Sequence, residues 1–444
     1  MRLRVAVLSA SFVVLLTSTL WAQGLPTVAP EDVGLSSDRL TRLEHVMQAY
    51  VDRGQISGAV TLVARRGGEA HIQAYGAADM GDSRPMEVDA IFRIASMTKP
   101  ITSLAVMMLY EEGRFRLNDP VGMYLPELAS LDVLEVTDSE NGTFSRVPSQ
   151  RPVTIRHLLT HTSGITYRFL GAAAFGPLYE QRLLSGLYGE AGIVDGLSEH
   201  TGTIEDLVTK LGSLPLLHQP GAAFSYGLNI DVLGRLVEVL SGLSFDEFLR
   251  TRIFEPLGME DTYFYLPSAK SGRLAALYSP SPTGGIVEVE GTVDDGYLTF
   301  SATYSAGDRR TNFPGGAGLS STARDYSRFL QMMLNGGELD GARLLSPTTV
   351  RLMTSNHIGE LASSGPVPPG LGGFGLGFAI DGAPTAEGEL GSEGVYRWGG
   401  IFNTLFWVDP EQHLIGIMMT QLLPNTTDIQ DKFRIMTYQT IVER

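Results

Sequence analysis

Ser96 and Lys99 stand three residues apart in the segment Phe92-Arg93-Ile94-Ala95-Ser96-Met97-Thr98-Lys99-Pro100, where a helical pattern begins. On a helix that spacing puts both side chains on one face about a turn apart, so an amine reaches a hydroxyl. Such a pair can do nucleophilic acyl chemistry, the hydroxyl attacking a carbonyl with the amine within reach of it. A helix N-terminus adds free N–H groups and partial positive charge where an oxyanion develops. Only four lysines occur, Lys99, Lys210, Lys270 and Lys432, and only Lys99 has a serine three places before it. At ordinary serine usage roughly one lysine in fifteen would have one by chance, so the surroundings must carry the assignment.

The chain has no cysteine. Thiolate nucleophiles, disulfides, Cys-based zinc sites and a lipid-bearing N-terminal cysteine are thereby excluded. No Gly-x-Ser-x-Gly segment occurs; Gly318-Leu319-Ser320-Ser321-Thr322 comes nearest and lacks the last glycine, which counts against a nucleophile elbow. His157 and His161 have helical spacing, yet no glutamate of a His-Glu-x-x-His motif lies between them. They read as structural residues that position a loop near the cleft, and neither metal nor cofactor is expected.

The elements around this pair follow from periodicity. Ser36 to Gln55 has the spacing of an amphipathic helix, and Gly58 to Tyr75 alternates around Arg66-Gly67-Gly68 like two strands joined by a tight turn. Ala95 to Gly113 predicts a helix apolar on all sides, hence buried. Ala323 to Gly336 predicts another helix, preceded by Pro314-Gly315-Gly316-Ala317-Gly318. Phe374 to Ile380, Val395 to Val408 and His413 to Gln421 read as strands, with Asp409-Pro410-Glu411-Gln412 as a turn, and Asp428 to Arg444 as a closing helix. Strands at both ends with helices between predict an α+β fold: an antiparallel sheet formed by both chain ends and flanked by helices. The expected division is an α/β lobe over 29–116 and 307–444 and an inserted, mainly helical lobe over 117–306, with irregular stretches at Thr137 to Pro152 and Tyr167 to His200.

At 444 residues the chain is long enough for two packed lobes, and its 43% hydrophobic and 18% charged content is that of a globular enzyme. A formal net charge of −16 repels the phosphate backbone and excludes nucleic acid as an expected partner. Arg2 and Arg4, an apolar run from Val5 to Leu20 and Trp21-Ala22-Gln23 predict a signal peptide over 1–22, cut after Ala22. The run is short for a membrane span, so export to periplasm or medium is expected, with no stable membrane insertion afterwards.

The segment around Ser96 resembles the active-site segment of class C β-lactamases and family VIII carboxylesterases, within the serine β-lactamase-related superfamily that also holds DD-peptidases. His157-Leu158-Leu159-Thr160-His161-Thr162-Ser163-Gly164, Pro220-Gly221 running to Phe224-Ser225-Tyr226, and Trp398-Gly399-Gly400 resemble further segments of that superfamily in the same order. The resemblance covers roughly Ala29 to the C-terminus and implies a β-lactamase/DD-peptidase-like fold.

It also implies that Tyr226 is the proton shuttle of Ser96 and Lys99, and that the oxyanion donors are the backbone N–H groups of Ser96 and of Ile401, after Trp398-Gly399-Gly400 on an edge strand. Free lysine and tyrosine titrate at about 10.4 and 10, so a base near neutral pH needs one of them shifted, and neighbouring groups shift as a pair. Ser96 would attack an acyl carbonyl, the pair would carry the proton to the leaving group, and water would release the acyl group by the reverse path.

Two positions depart from the β-lactamase pattern. Trp398 occupies the place of the cation that holds a substrate carboxylate, as in the family VIII esterases; Arg397 beside it is expected to face outward, since strand residues alternate. Tyr226-Gly227-Leu228 puts leucine where the second motif has asparagine, with Asn229 one place later as the residue expected to contact substrate. Both departures favour a small-molecule ester or amide, and carboxylesterase ranks first. A β-lactamase, a D-alanyl-D-alanine carboxypeptidase-like amidase or an acyltransferase comes next. A catalytically silent cell-wall-binding protein is the alternative outside enzymes.

Overall fold

The computed structural model describes residues 24–138, 143–172, 179–199, 202–306, 311–363, 372–383 and 390–443. The expected signal peptide lies outside the described residues. No helix among them is long and apolar enough to cross a membrane.

The central sheet has eight strands: β1 (Gly58–Arg65), β2 (Gly68–Asp79), β3 (Arg84–Pro85), β4 (Gly373–Phe374), β5 (Ala379–Ile380), β6 (Tyr396–Gly400), β7 (Thr404–Asp409) and β8 (Leu414–Thr420). Their order is β4-β5-β6-β7-β8-β1-β2-β3, every neighbouring pair antiparallel. The two chain ends meet where β1 pairs with β8, with Val60 opposite Met419 and Leu62 opposite Ile417. Arg66 and Gly67 turn β1 into β2 with φ of 51° and 84°, the twist that a two-residue hairpin requires.

Every residue of β1 is buried because helices cover both faces of the sheet. The helices that matter here are α1 (Ser37–Asp52), α2 (Thr98–Glu111), α3 (Asn229–Ser241), α4 (Ala323–Leu334) and α5 (Ile429–Gln439). Alternate residues of β1 divide between two cores. Ala59 and Val63 join Leu43 and Met47 of α1 and Phe433 of α5, whereas Val60 and Leu62 join Leu104 of α2 and Phe329 of α4. Ser36 caps α1 by accepting from the Arg39 N–H at 3.4 Å, and Thr322 caps α4 by accepting from Asp325 N at 3.1 Å. Helix α2 is buried from Thr98 to Leu109, as its all-round apolar pattern predicts, and α3 packs against it.

Three segments differ from their sequence patterns. Val395 to Val408 is two strands, β6 and β7, because Asn403 takes φ of 66° and its N–H donates to the Gly400 carbonyl at 3.0 Å, closing a turn. Phe374 to Ile380 is likewise folded back on itself as β4 and β5. The inserted segment also carries strands: Asp132–Asp138 pairs with Thr143–Pro148, within a stretch expected to be irregular, and the helix Tyr179–Glu190 interrupts the Tyr167 to His200 stretch. In the first two, local turn chemistry outweighs the hydrophobic period used to read the segment.

Candidate active site

Ser96 sits in a 3-10 turn, Ala95–Met97, that leads straight into α2. Ala95 holds φ of 43°, a backbone conformation unfavourable for a residue with a Cβ, which presents the next side chain at the helix mouth. One turn on, Lys99 is fully buried and its Nζ donates to Ser96 Oγ at 3.1 Å, to Tyr167 Oη at 2.9 Å and to the Gly316 carbonyl at 2.7 Å. The Tyr226 hydroxyl donates to Ser96 Oγ at 2.8 Å. Lys99 Nζ also lies 4.6 Å from the Tyr226 ring centre and 5.1 Å from that of Tyr167, within cation–π range. An amine one helical turn away and a phenol 130 residues along the chain thus converge on the Ser96 oxygen.

Burial sets the proton affinities. It pushes the Lys99 ammonium down to about 7, against the opposing pull of the Asp231 and Asp195 charges. Burial pushes the Tyr226 phenol up, and the nearby Ser96 hydroxyl and Trp398 indole, which favour the phenolate, offset this only in part. Tyr167 rises for the same first reason, with the Asp231 charge adding to it. At neutral pH both phenols keep their protons, and Lys99 is the group poised to change.

His161 supports the loop that carries Tyr226. Burial, and then the Lys99 charge, hold its imidazole neutral. Its Nδ1 accepts from the Gly227 N–H at 3.3 Å and from Asn229 Nδ2 at 3.0 Å, and its ring packs on Tyr226 with centroids 4.8 Å apart. His157 completes a capping box with Thr154 on the short helix Ile155–Leu159. Both histidines therefore position backbone. Among the described residues no group of three His, Cys, Asp or Glu side chains is placed to hold a metal ion.

Asn229 does not face the cleft. It is fully buried; besides His161, its Nδ2 donates to the Ile165 and Ser225 carbonyls at 3.0 and 3.4 Å, and its Oδ1 accepts from Ser163 at 2.5 Å. In the first turn of α3 the asparagine is part of the loop scaffold, and Leu228 before it is equally buried, in the hydrophobic core. Asn229→Ala is expected to lower stability by about 2 kcal/mol, the cost of stranding buried partners, while leaving KM for an ester unchanged. Urea unfolding beside steady-state kinetics checks this; a raised KM with unchanged stability would reinstate substrate contact.

The far wall is β6. Gly400 lies so close to the nucleophile turn that a Cβ there would stand 2.4 Å from the Ile94 carbonyl and 2.4 Å from Thr404 Oγ1. Glycine at that position is what lets the β6 end and the following Ile401 lie against the Ser96 turn. The sheet does not end at β6, contrary to the edge-strand expectation. The two-residue β5 pairs only with Tyr396 and Arg397, however, so Trp398, Gly399 and Gly400 are open on that side. Trp398 packs against Tyr226 and Phe374, with ring centroids 5.3 and 5.4 Å away. Arg397 is tied instead to Asp381, its Nε donating to Oδ1 at 2.6 Å. Tyr167 stacks on Phe169 with ring centroids 5.0 Å apart and packs edge-on against Tyr226 at 5.2 Å, so Tyr226 has the rings of Tyr167 and Trp398 as neighbours.

Tyr167, Asp231 and Gly316 are the participants that sequence reading missed. Tyr167 opens a stretch with no periodicity, three residues beyond the Gly164 that ends the His157 motif. Asp231 had a usable signal: an acid in the first turn of α3 among Ile230, Val232 and Leu233, all buried.

Comparison with known proteins bears on this geometry. The family model described as Beta-lactamase matches residues 43–439. Protein Rv1367c of Mycobacterium tuberculosis is 33% identical over 84% of this chain and 88% of its own length. Esterase EstB of Burkholderia gladioli is 32% identical over 85% of this chain and 89% of its own. Among solved structures, EstCE1, a hydrolase with promiscuous acyltransferase activity, superposes with a TM-score of 0.76 at 27% identity, covering 90% of this chain and 98% of the other.

Proposed function

We propose a function from the premise that this chain belongs to the beta-lactamase family, with serine hydrolases and acyltransferases among its relatives: it hydrolyses neutral carboxylic esters through an acyl-enzyme on Ser96. The observation that carries the reading is the Ser96 hydroxyl held at once by a fully buried amine and a phenol. Neutral Lys99 takes the Ser96 proton as Oγ bonds to the acyl carbon. Tyr226, still a phenol, gives its proton to the departing alkoxide and regains one from Lys99. Backbone N–H groups of Ser96 and Ile401 receive the oxyanion, and water releases the acid by the same steps reversed.

Trp398 in place of a cation supports an uncharged acyl group over a β-lactam carboxylate. Export with cleavage after Ala22 belongs to the same reading and rests on the sequence of residues 1–22. Acyl transfer to an alcohol is a second reading, favoured by the promiscuous transferase activity of EstCE1.

The test is turnover of p-nitrophenyl butyrate beside a chromogenic cephalosporin, with and without butanol. Ester cleavage with little cephalosporin cleavage is the expected result, and butyl butyrate as the main product would promote the transferase. Dominant cephalosporin cleavage, or no covalent labelling by an organophosphonate, would overturn the esterase reading.

The pH dependence has a definite sign. A protonated Lys99 has no lone pair to accept the serine proton, so activity is lost below its pKa. The kcat/KM for a neutral ester is expected to rise tenfold per pH unit, level off above about 7, and show no second rise as Tyr226 ionises. A rate profile with a non-titrating ester checks this.

A further inference from the structure

The peptide of Gly316 links two buried charges. Its carbonyl accepts from Lys99 Nζ at 2.7 Å, and its N–H donates to Asp231 Oδ1 at 3.0 Å. The other carboxylate oxygen, Asp231 Oδ2, is enclosed without a hydrogen-bond partner among the described residues. A Cβ on Gly316 would stand 2.3 Å from Asp231 Oδ2 and 2.8 Å from Tyr167 Oη. Only glycine leaves room for an amine, a phenol and a carboxylate around one peptide. Neighbouring Gly315 is equally constrained, with the Ile230 carbonyl 2.7 Å from its Cβ position.

We propose that Asp231 is a positioning residue for the base of Ser96: held to the Gly316 peptide, its charge keeps Lys99 basic enough to take the serine proton and sets the pH at which Ser96 becomes reactive. The inference rests on the reading that Lys99 activates Ser96. An amine buried this deeply with no opposite charge is too weak a base for a serine hydroxyl. A carboxylate in direct contact would lock it as an ion pair. One intervening peptide gives the intermediate case, attraction without a salt bridge.

Of the other groups near this pair, Asp195 adds to the pull on Lys99, but less than Asp231 does. His161 is held neutral, Tyr167 and Tyr226 are held as phenols, and burial pushes Asp195 above the usual carboxylate range. Asp195 is held by the Arg168 N–H at 3.2 Å rather than by the Gly316 peptide. Asp206 and Lys210 share with Asp231 the lining of a cavity of about 380 Å³. Burial raises the Asp231 carboxyl and the Lys99 charge draws it back, consistent with mutual dependence of the two.

Asp231→Asn tests this, because an amide oxygen can still accept from the Gly316 N–H while the charge is gone. The measurement is the second-order rate of Ser96 phosphonylation by a p-nitrophenyl alkylphosphonate against pH, in the full protein. The acid limb is expected to move down by about one to two pH units, with a plateau lowered about tenfold or more. Asp231→Ala should show the same shift, and added formate should move the limb back up, which a purely structural loss would not do. Limbs that superimpose on wild type in a folded variant, or an alanine variant unmoved by formate, would overturn the proposal. Failure of the wild type to be phosphonylated would instead overturn the proposed function.

Discussion

Ser96→Ala is expected to abolish covalent labelling by an organophosphonate and to lower ester turnover by about 10⁴-fold or more, while the protein still folds. The loss is large because the hydroxyl is the acceptor on which Tyr226 and Lys99 both converge, at 2.8 and 3.1 Å. The nearby hydroxyls of Thr98, Thr102 and Ser103 are all fully buried along α2 and present no substitute nucleophile. The fold is expected to lose less than about 1 kcal/mol, since Ser96 is only half-buried and removing one hydroxyl leaves no large cavity. Thermal melts, intact-mass labelling and turnover on one preparation decide the matter. Turnover within tenfold of wild type would move the nucleophile elsewhere. The lack of cysteine adds a cleaner control: Ser96→Cys would carry the chain's only thiol, and its alkylation rate should report how strongly Lys99 pulls its proton.

The parts legible in the sequence were those that a local rule fixes. A serine and a lysine three apart at a helix start share a face whatever surrounds them, and the apolar pattern of α2 requires burial, so Lys99 in a dry environment followed from the same stretch. The sheet built from both chain ends was legible because β1, β2, β7 and β8 are long enough to show their period. Four- and two-residue features were not. The turn at Asn403, which splits β6 from β7, is hidden inside a run of strand-forming residues, and β4 and β5 are too short to carry a pattern.

Partners chosen by three-dimensional packing were the least legible. Asn229 sits one residue from a motif position, yet its amide is committed to His161 and Ser163, and Leu228 before it is buried in the core as well. Tyr167 has no periodic context at all. The glycines of Pro314-Gly315-Gly316-Ala317-Gly318 were visible as a cluster, but the reason for them lies in what crowds their Cβ positions, namely the Ile230 carbonyl, Asp231 and Phe264. Such close approaches join segments far apart in the chain, which no local pattern encodes.

Lys99→Met separates the base from the scaffold. The thioether nearly matches the lysine stem in length, accepts no proton at any working pH and fits a site with no exposure to solvent. Acylation of Ser96 is expected to fall about 10³-fold or more, and the remaining rate should lose its rise through about 7. Stability moves for two opposed reasons. Stranding the Gly316 carbonyl and Tyr167 hydroxyl costs about 1–3 kcal/mol, and relieving a buried amine of its desolvation offsets a similar amount. The sign with pH follows from linkage. Because folding pushes the Lys99 pKa down, the unfolded chain binds the extra proton between about 7 and the free lysine value, and the wild type gains stability as pH rises through that window. The methionine variant lacks this group, so the stability difference between the two proteins should shift toward the wild type as pH rises. Unfolding midpoints measured in parallel at several pH values check it; a difference that stays flat would mean that Lys99 keeps its ordinary proton affinity in the folded protein and that the base lies elsewhere.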